Sequence, residues 1–143
     1  MSGDAPRLGA LSVGDVVAER EIHLTRDSLV RYAGASGDFN PIHYRDDVAA
    51  AVGLPGVLAH GMLTMGVAGS VVSEWIGAAG FVSDLQARFT KPVVVDPEAG
   101  ATLHVTATVG ALDAEAGTAR IDLRVVAADQ VVLGKSQAVV AFS

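Results

Sequence analysis

A carboxylate and an imidazole stand five residues apart in Ser36-Gly37-Asp38-Phe39-Asn40-Pro41-Ile42-His43, a segment without helix or strand periodicity. Loops on a rigid scaffold carry binding and catalytic groups more often than packed cores do. Gly37 and Pro41 constrain the backbone, so Asp38 and His43 can face one another across a water molecule, the arrangement general acid–base chemistry requires. The same residues also fit an Asx turn, with Asp38 and Asn40 bonding their own backbone and His43 opening the next element. Spacing alone leaves both readings open. A second group, Ala59-His60-Gly61-Met62, opens an apolar helix. Unpaired N–H groups and the positive end of the helix dipole can hold developing negative charge there, and Gly61 admits a carbonyl close to the backbone. Equally, Gly61 can simply relieve crowding while His60 caps or packs. A zinc site built from His23, His43, His60, His104 and Asp38 is not expected. No two histidines stand at the i, i+4 spacing of a helical metal pair, and His23 and His104 fall in strand patterns at solvent-facing positions.

These residues need elements to hold them. Residues 16–24 follow a Val13-Gly14-Asp15 turn and read as a first strand; Thr25 then caps a short helix over residues 26–33, with Asp27 in its first turn and Gly34 at its end. Residues 35–43 read as loop. From residue 48 to residue 73 the chain runs 26 residues without a formal charge, longer than a membrane span requires. Gly53, Pro55 and Gly56 break that run, however, and the helix from about residue 57 carries His60 and Thr64. No membrane partner is expected. The helix is apolar on every side (Leu58, Met62, Leu63, Met65, Val67, Val71, Val72, Trp75, Ile76), which predicts enclosure by protein, and in so short a chain only a curved sheet can enclose it.

The remaining chain supplies that sheet. Leu85, Ala87 and Phe89 alternate with Gln86, Arg88 and Thr90; Leu103, Val105, Ala107 and Val109 alternate with polar partners, as do Ile121, Leu123 and Val125. Residues 113–117 turn between the last two, and residues 131–142 close the set. The prediction is a single α+β domain over residues 1–143, an antiparallel sheet wrapped on one long central helix. Such a sheet leaves an edge whose simplest remedy is pairing with a second copy, so a dimer is expected.

Composition narrows the function. Half the residues are apolar and 18% are charged, which excludes disorder. Sixteen acidic against ten basic residues give a net charge of -6, which repels nucleic acid and anionic membrane surfaces. The absence of cysteine removes disulfides, thiolate metal sites and a thiol nucleophile, and the N-terminal segment lacks a signal-peptide layout, so a cytoplasmic location is expected.

The stretch from Tyr32 through Gly37-Asp38-Phe39-Asn40-Pro41-Ile42-His43 to Ala49 resembles the hydratase motif of the MaoC-like family. The resemblance continues through Leu54-Pro55-Gly56, Ala59-His60-Gly61-Met62 and Arg88-Phe89-Thr90-Lys91-Pro92, and it covers most of the chain. Residues 24–66 most resemble the catalytic B subunit of actinobacterial (3R)-hydroxyacyl-acyl carrier protein dehydratase. It implies a hot-dog fold and reversible hydration of trans-2-enoyl thioesters to (R)-3-hydroxyacyl thioesters, in fatty acid metabolism. No cofactor is implied beyond CoA or acyl carrier protein as the substrate's carrier, and the implied assembly is a homodimer or a heterodimer with a sister hot-dog subunit. Carried over residue by residue, Asp38 and His43 match the catalytic pair, Asn40 the residue that orders the loop, and Gly61 the oxyanion donor. His60, Met62, Arg88 and Lys91 are the expected substrate contacts, the last two for carrier phosphates. The alternatives are a non-catalytic or regulatory hot-dog subunit, which would lack one member of the pair, and a thioesterase, which would ask for a carboxylate on the helix that residues 57–73 do not offer.

Overall fold

The computed structural model describes residues 4–143, so the first three residues of the segment read above for a signal peptide lie outside it. Strand β1 (Val16–Leu24) has the expected bounds and feeds helix α1 (Arg26–Ser36). Thr25 closes a full capping box: its hydroxyl accepts the Ser28 N–H at 3.3 Å while the Ser28 hydroxyl accepts the Thr25 N–H at 3.0 Å. The helix outruns its expected end at Gly34. That glycine stays helical in open space, and the left-handed cap falls instead on Gly37, at φ 79°. The segment expected to be loop then holds a 3-10 turn (Pro41–His43), and a short helix, α2 (Asp46–Ala51), follows it. Asp46 and Asp47 occupy the first turn of α2, where the dipole favours them, and Asp46 takes a two-pronged contact from Arg26 at 2.8 and 3.2 Å.

The long helix α3 (Gly61–Ile76) begins four residues later than its apolar pattern suggested. Residues 57–59 are apolar for another reason. They lie extended against 93–95, with Ala59 N–H donating to the Val93 carbonyl at 2.8 Å and Val95 N–H to the Val57 carbonyl at 2.9 Å. Periodicity cannot separate such a buried extended run from a first helical turn.

After α3 come β2 (Gly80–Phe89), β3 (Ala101–Asp113), β4 (Thr118–Ala127), a two-residue β5 (Gln130–Val131) and β6 (Leu133–Phe142). The last two replace the single closing strand expected over residues 131–142. They are separated at Val132, whose N–H donates to the Val125 carbonyl at 3.0 Å. Every pairing is antiparallel, and the order is β1-β3-β4-β6-β2, with β5 on β4. The inward residues of β3 and β4 are those read from alternation: Leu103, Val105, Ala107, Val109, Ile121, Leu123 and Val125 are all buried. Against them lie Ala68, Val71, Val72 and Ile76 of α3. Each valine, leucine and isoleucine among them contributes roughly 1.5–3 kcal/mol by leaving water. This is the hot-dog arrangement, a sheet curled on one helix.

One expectation about α3 needs correction. The helix is not enclosed on all sides: Met62, Gly66, Ser70 and Ser73 form an exposed stripe, and Met62 is 58% exposed. The reason is topological. The sheet reaches around one face of α3 and ends in two flanking strands, β1 and β2, leaving the opposite face uncovered.

Candidate active site

Asp38 sits just past the left-handed cap of α1, on a loop that ties itself down. The Ser36 hydroxyl accepts the Asp38 N–H at 3.1 Å, Asp38 Oδ1 accepts the Asn40 N–H at 3.2 Å, and Asn40 Oδ1 accepts the Ile42 N–H at 3.2 Å. The Asx turns weighed in the sequence are therefore real. They do not compete with a chemical role, because they use only Oδ1. The second carboxylate oxygen, Oδ2, stands 4.0 Å from His43 Nε2.

His43 is held from the other side. Its Nδ1 lies 2.7 Å from the Leu58 carbonyl, which can only accept, so Nδ1 carries the proton and donates. The neutral ring then presents a bare lone pair at Nε2, toward Asp38. Leu58 N–H returns a bond to the Ile42 carbonyl at 3.1 Å, fixing the two segments together. Separation of 4.0 Å is too long for a direct hydrogen bond, yet one water oxygen about 2.8 Å from each atom satisfies both.

His60, the N-cap residue of α3, lies beneath this pair at 1% exposure. Its Nε2 is 3.1 Å from the Asp38 main-chain carbonyl, its ring stacks on His43 at 3.9 Å between centroids, and the Tyr32 ring meets it edge-on at 4.7 Å. Its Nδ1 is buried with no hydrogen-bond partner among the described residues. Burial pushes the His60 imidazole below its ordinary value against a smaller opposing pull from the Asp38 carbonyl, and the neighbouring His43 adds to the lowering.

Beside the pair opens a cavity of about 300 Å³, walled in part by His43, Gly61, Thr64, Phe89, Lys91 and Val93. Gly61 is the first residue of α3. The Leu63 and Thr64 N–H groups already donate to the His60 carbonyl, whereas the Gly61 N–H precedes any possible intrahelical acceptor. A Cβ on Gly61 would stand 3.1 Å from the Phe89 ring, so glycine keeps this wall open. The structure thus sets Asp38 beside His43, ties Asn40 into the same loop, and puts His43 and Gly61 on one cavity wall. It places the expected substrate contacts less uniformly: Lys91 is on the wall, Met62 and Arg88 are exposed and off it, and His60 is buried behind it rather than facing it. Leu58, Thr64 and Phe89 were not assigned a site role in the sequence. The Leu58 contribution is a main-chain carbonyl, which no side-chain pattern signals.

Donor atoms of Asp38, His43 and His60 lie within 4.8 Å of one another, so the histidine spacing was not a sound reason to set a metal aside; the fold joins positions that the sequence separates. Geometry is the better guide. The two imidazoles stack with their planes only 22° apart, and lone pairs that lie in near-parallel planes do not converge on a point 2.0–2.1 Å from both nitrogens. The donor set does not fit a zinc ion as it stands.

The MaoC like domain family matches residues 11–127. A mitochondrial 3-hydroxyacyl-[acyl-carrier-protein] dehydratase of Arabidopsis thaliana is 33% identical over 88 residues, covering 62% of this chain and 52% of the relative. An (R)-specific enoyl-CoA hydratase of Rhodospirillum rubrum is 30% identical over 99 residues, covering 68% of this chain and 64% of the relative. Among solved structures, a MaoC-like dehydratase superimposes with a TM-score of 0.90 at 34% identity, over 97% of this chain and 43% of that one. The chain spans about half the length of the first of these curated relatives, and less than half of that solved structure. The matched region runs from just before β1 to the end of β4 and includes the Asp38 loop and all of α3, and the chain belongs to the MaoC-like domain family.

Proposed function

We propose that this chain reversibly adds water across the double bond of trans-2-enoyl thioesters, giving (R)-3-hydroxyacyl thioesters, with Asp38 and His43 as the proton-handling pair. The observation that carries the reading is the 4.0 Å approach of Asp38 Oδ2 to the bare Nε2 of His43 beside a cavity walled by Gly61. Water held between the two gives a proton to the pair as its oxygen bonds to C3. The C2=C3 electron pair shifts toward the thioester carbonyl, whose oxygen becomes enolate-like and takes the Gly61 N–H at the positive end of α3. The pair then returns a proton to C2. Atoms balance with substrate and water alone. The two members are not divided here into a fixed acid and a fixed base.

Lys91, at the cavity wall, and the exposed Arg88 are the contacts for phosphates of a CoA or acyl carrier protein arm. Thioester hydrolysis is a poorer fit. The carboxylate on α3, Glu74, lies near the helix's far end and is paired with Arg20 at 2.5 Å. The test is an assay with crotonyl-CoA, followed by loss of the enoyl-thioester absorbance and repeated with longer enoyl-CoAs and with enoyl-acyl carrier protein. Hydration of at least one supports the reading; inertness toward all, or release of free CoA instead, overturns it.

A further inference from the structure

His60 is a costly residue to bury, and nothing in the reaction as written uses it. A buried imidazole nitrogen without a partner is a penalty that packing alone does not explain, since an aliphatic or phenyl side chain would fill the same space without it. The surroundings of the ring supply the explanation. The ring touches both members of the proton-handling pair, and by different means. Its Nε2–H donates at 3.1 Å to the main-chain carbonyl of Asp38, and its face stacks on the ring of His43 at 3.9 Å with the planes 22° apart. The acceptor is a carbonyl, so the proton must sit on Nε2, and the ring's neutral form leaves Nδ1 bare.

The Asp38 loop is tied to α1 at its near end, where the Gly37 N–H donates to the Ala33 carbonyl at 2.9 Å, and to residue 58 at its far end, through the Ile42 carbonyl and the His43 ring. The hydrogen bonds that shape it, from Ser36, Asp38 and Asn40, are all within the loop and span two residues each. Such bonds fix the loop's own shape, but they do not fix its position over His43. At residue 38 itself, the long-range bond is the one from His60. We propose that His60 is a positioning residue that docks the Asp38 loop onto the N-terminus of α3 and holds the His43 ring flat beneath it, setting the separation of the two proton-handling atoms. The titratable groups that face its ring are Tyr32 from α1, Asp38 from the loop and His43 from the 3-10 turn. This inference rests on the reading of Asp38 and His43 as the proton-handling pair.

Three substitutions separate its parts. His60→Phe keeps an aromatic face against His43 and removes the donor; His60→Gln restores a donor near the position of Nε2 and removes the aromatic face; His60→Asn is polar but too short to reach the Asp38 carbonyl. A misplacement of reacting groups by about 1 Å costs ~10²-fold, so His60→Phe and His60→Asn are expected to lower kcat by that order. KM should stay near its original value, because His60 does not reach the cavity wall. His60→Gln should recover the part of the lost kcat that depends on the loop contact, so its rate should lie between those of the His60→Asn and wild-type proteins. Rates are referred to the folded fraction, measured by near-ultraviolet circular dichroism at the assay temperature. Should His60→Phe not fold, the comparison of Gln with Asn carries the test. Wild-type kcat in the folded His60→Phe or His60→Asn protein, a loss confined to KM, or a Gln variant no better than Asn overturns the positioning role. Asp38→Asn and His43→Gln are assayed beside them: retained activity in those variants defeats the proton-handling reading itself, whereas their loss together with an unaffected His60→Phe defeats only the inference about His60.

Discussion

Asp38 divides its carboxylate, one oxygen holding a turn and the other facing an imidazole, and this division fixes what each substitution should do. Asp38→Asn keeps an oxygen for the Asn40 N–H but loses the charge and the proton site. His43→Gln keeps a polar group near Leu58 but loses the basic nitrogen. Each is expected to slow hydration ~10²- to 10⁴-fold while leaving the melting curve nearly unchanged. A variant that retains half the original rate would remove that side chain from the chemistry. The lowered pKa of His60 makes a separate prediction about stability. Its ordinary value is about 6.5, and burial depresses it in the folded chain. Below that ordinary value the unfolded chain binds a proton that the folded one refuses, so the contribution favours folding at neutral pH and is lost as pH falls from about 6.5 toward the depressed folded value. Denaturant midpoints measured from pH 7 down to pH 5 should therefore fall more steeply for the wild-type chain than for His60→Gln. Equal slopes would place the acid sensitivity in other groups. Asp38, Asn40, His43 and Gly61 were legible as candidates because their types are chemically specific. The burial of His60 was not legible, since a histidine beside a helix start reads the same whether it faces a cavity or lies beneath one.

At the scale of the elements, the N-terminus of α3 and the entry to β3 invite tests. Gly61→Pro deletes the proposed oxyanion donor and crowds Phe89, and it should lose ~10²-fold or more in rate. Steric damage confounds that variant, so the sharper measurement is a structure with a bound 3-hydroxyacyl thioester. A carbonyl oxygen far from the Gly61 nitrogen, or bonded to Thr64, would reassign the donor. The entries to β3 and β4 offer a matched pair of glycines: Gly100 at φ 69° and Gly117 at φ 70° share a left-handed backbone. A Cβ at Gly117 meets open space, whereas at Gly100 it runs into the Leu24 carbonyl and the His23 ring. Gly117→Ala should cost about 1 kcal/mol for the backbone conformation alone. Gly100→Ala should cost about 2 kcal/mol more, because the Leu24 carbonyl belongs to a strand end and cannot swing aside. Urea titrations give the difference directly, and equal midpoints would mean that β1 yields at its end. The strands were legible because period-2 alternation marks half-buried surfaces. The start of α3 was not, because residues 57–59 owe their apolar character to pairing with 93–95, a long-range contact invisible to local pattern.

For the whole molecule, the sheet order that encloses one face of α3 also decides what stays bare. Flanking strand β2 carries Phe81 and Phe89 at 60% and 55% exposure, and the Met62 stripe of α3 is exposed too. Apolar surface beside an unpaired edge favours a partner. The chain is expected to dimerise, with itself or with a sister hot-dog subunit, through this edge and with the α3 helices roughly side by side. Light scattering at micromolar concentration should return the mass of two chains, and a single-chain mass that persists when a sister subunit is added would exclude this assembly. The sequence announced the curled sheet through its element order but not the bare stripe, because a helix apolar on every side looks alike whether protein or a partner covers its last face. His43 is bonded through Nδ1 to the Leu58 carbonyl. That bond leaves the imidazole one free nitrogen, which lies 4.0 Å from the Asp38 carboxylate, and the His43 ring itself walls the cavity. On the proposed chemistry, a flat enoyl group held in the cavity shows one of its faces to this pair, and oxygen at C3 and hydrogen at C2 are expected from the same side. In heavy water the product should be a single diastereomer, with deuterium and hydroxyl added syn.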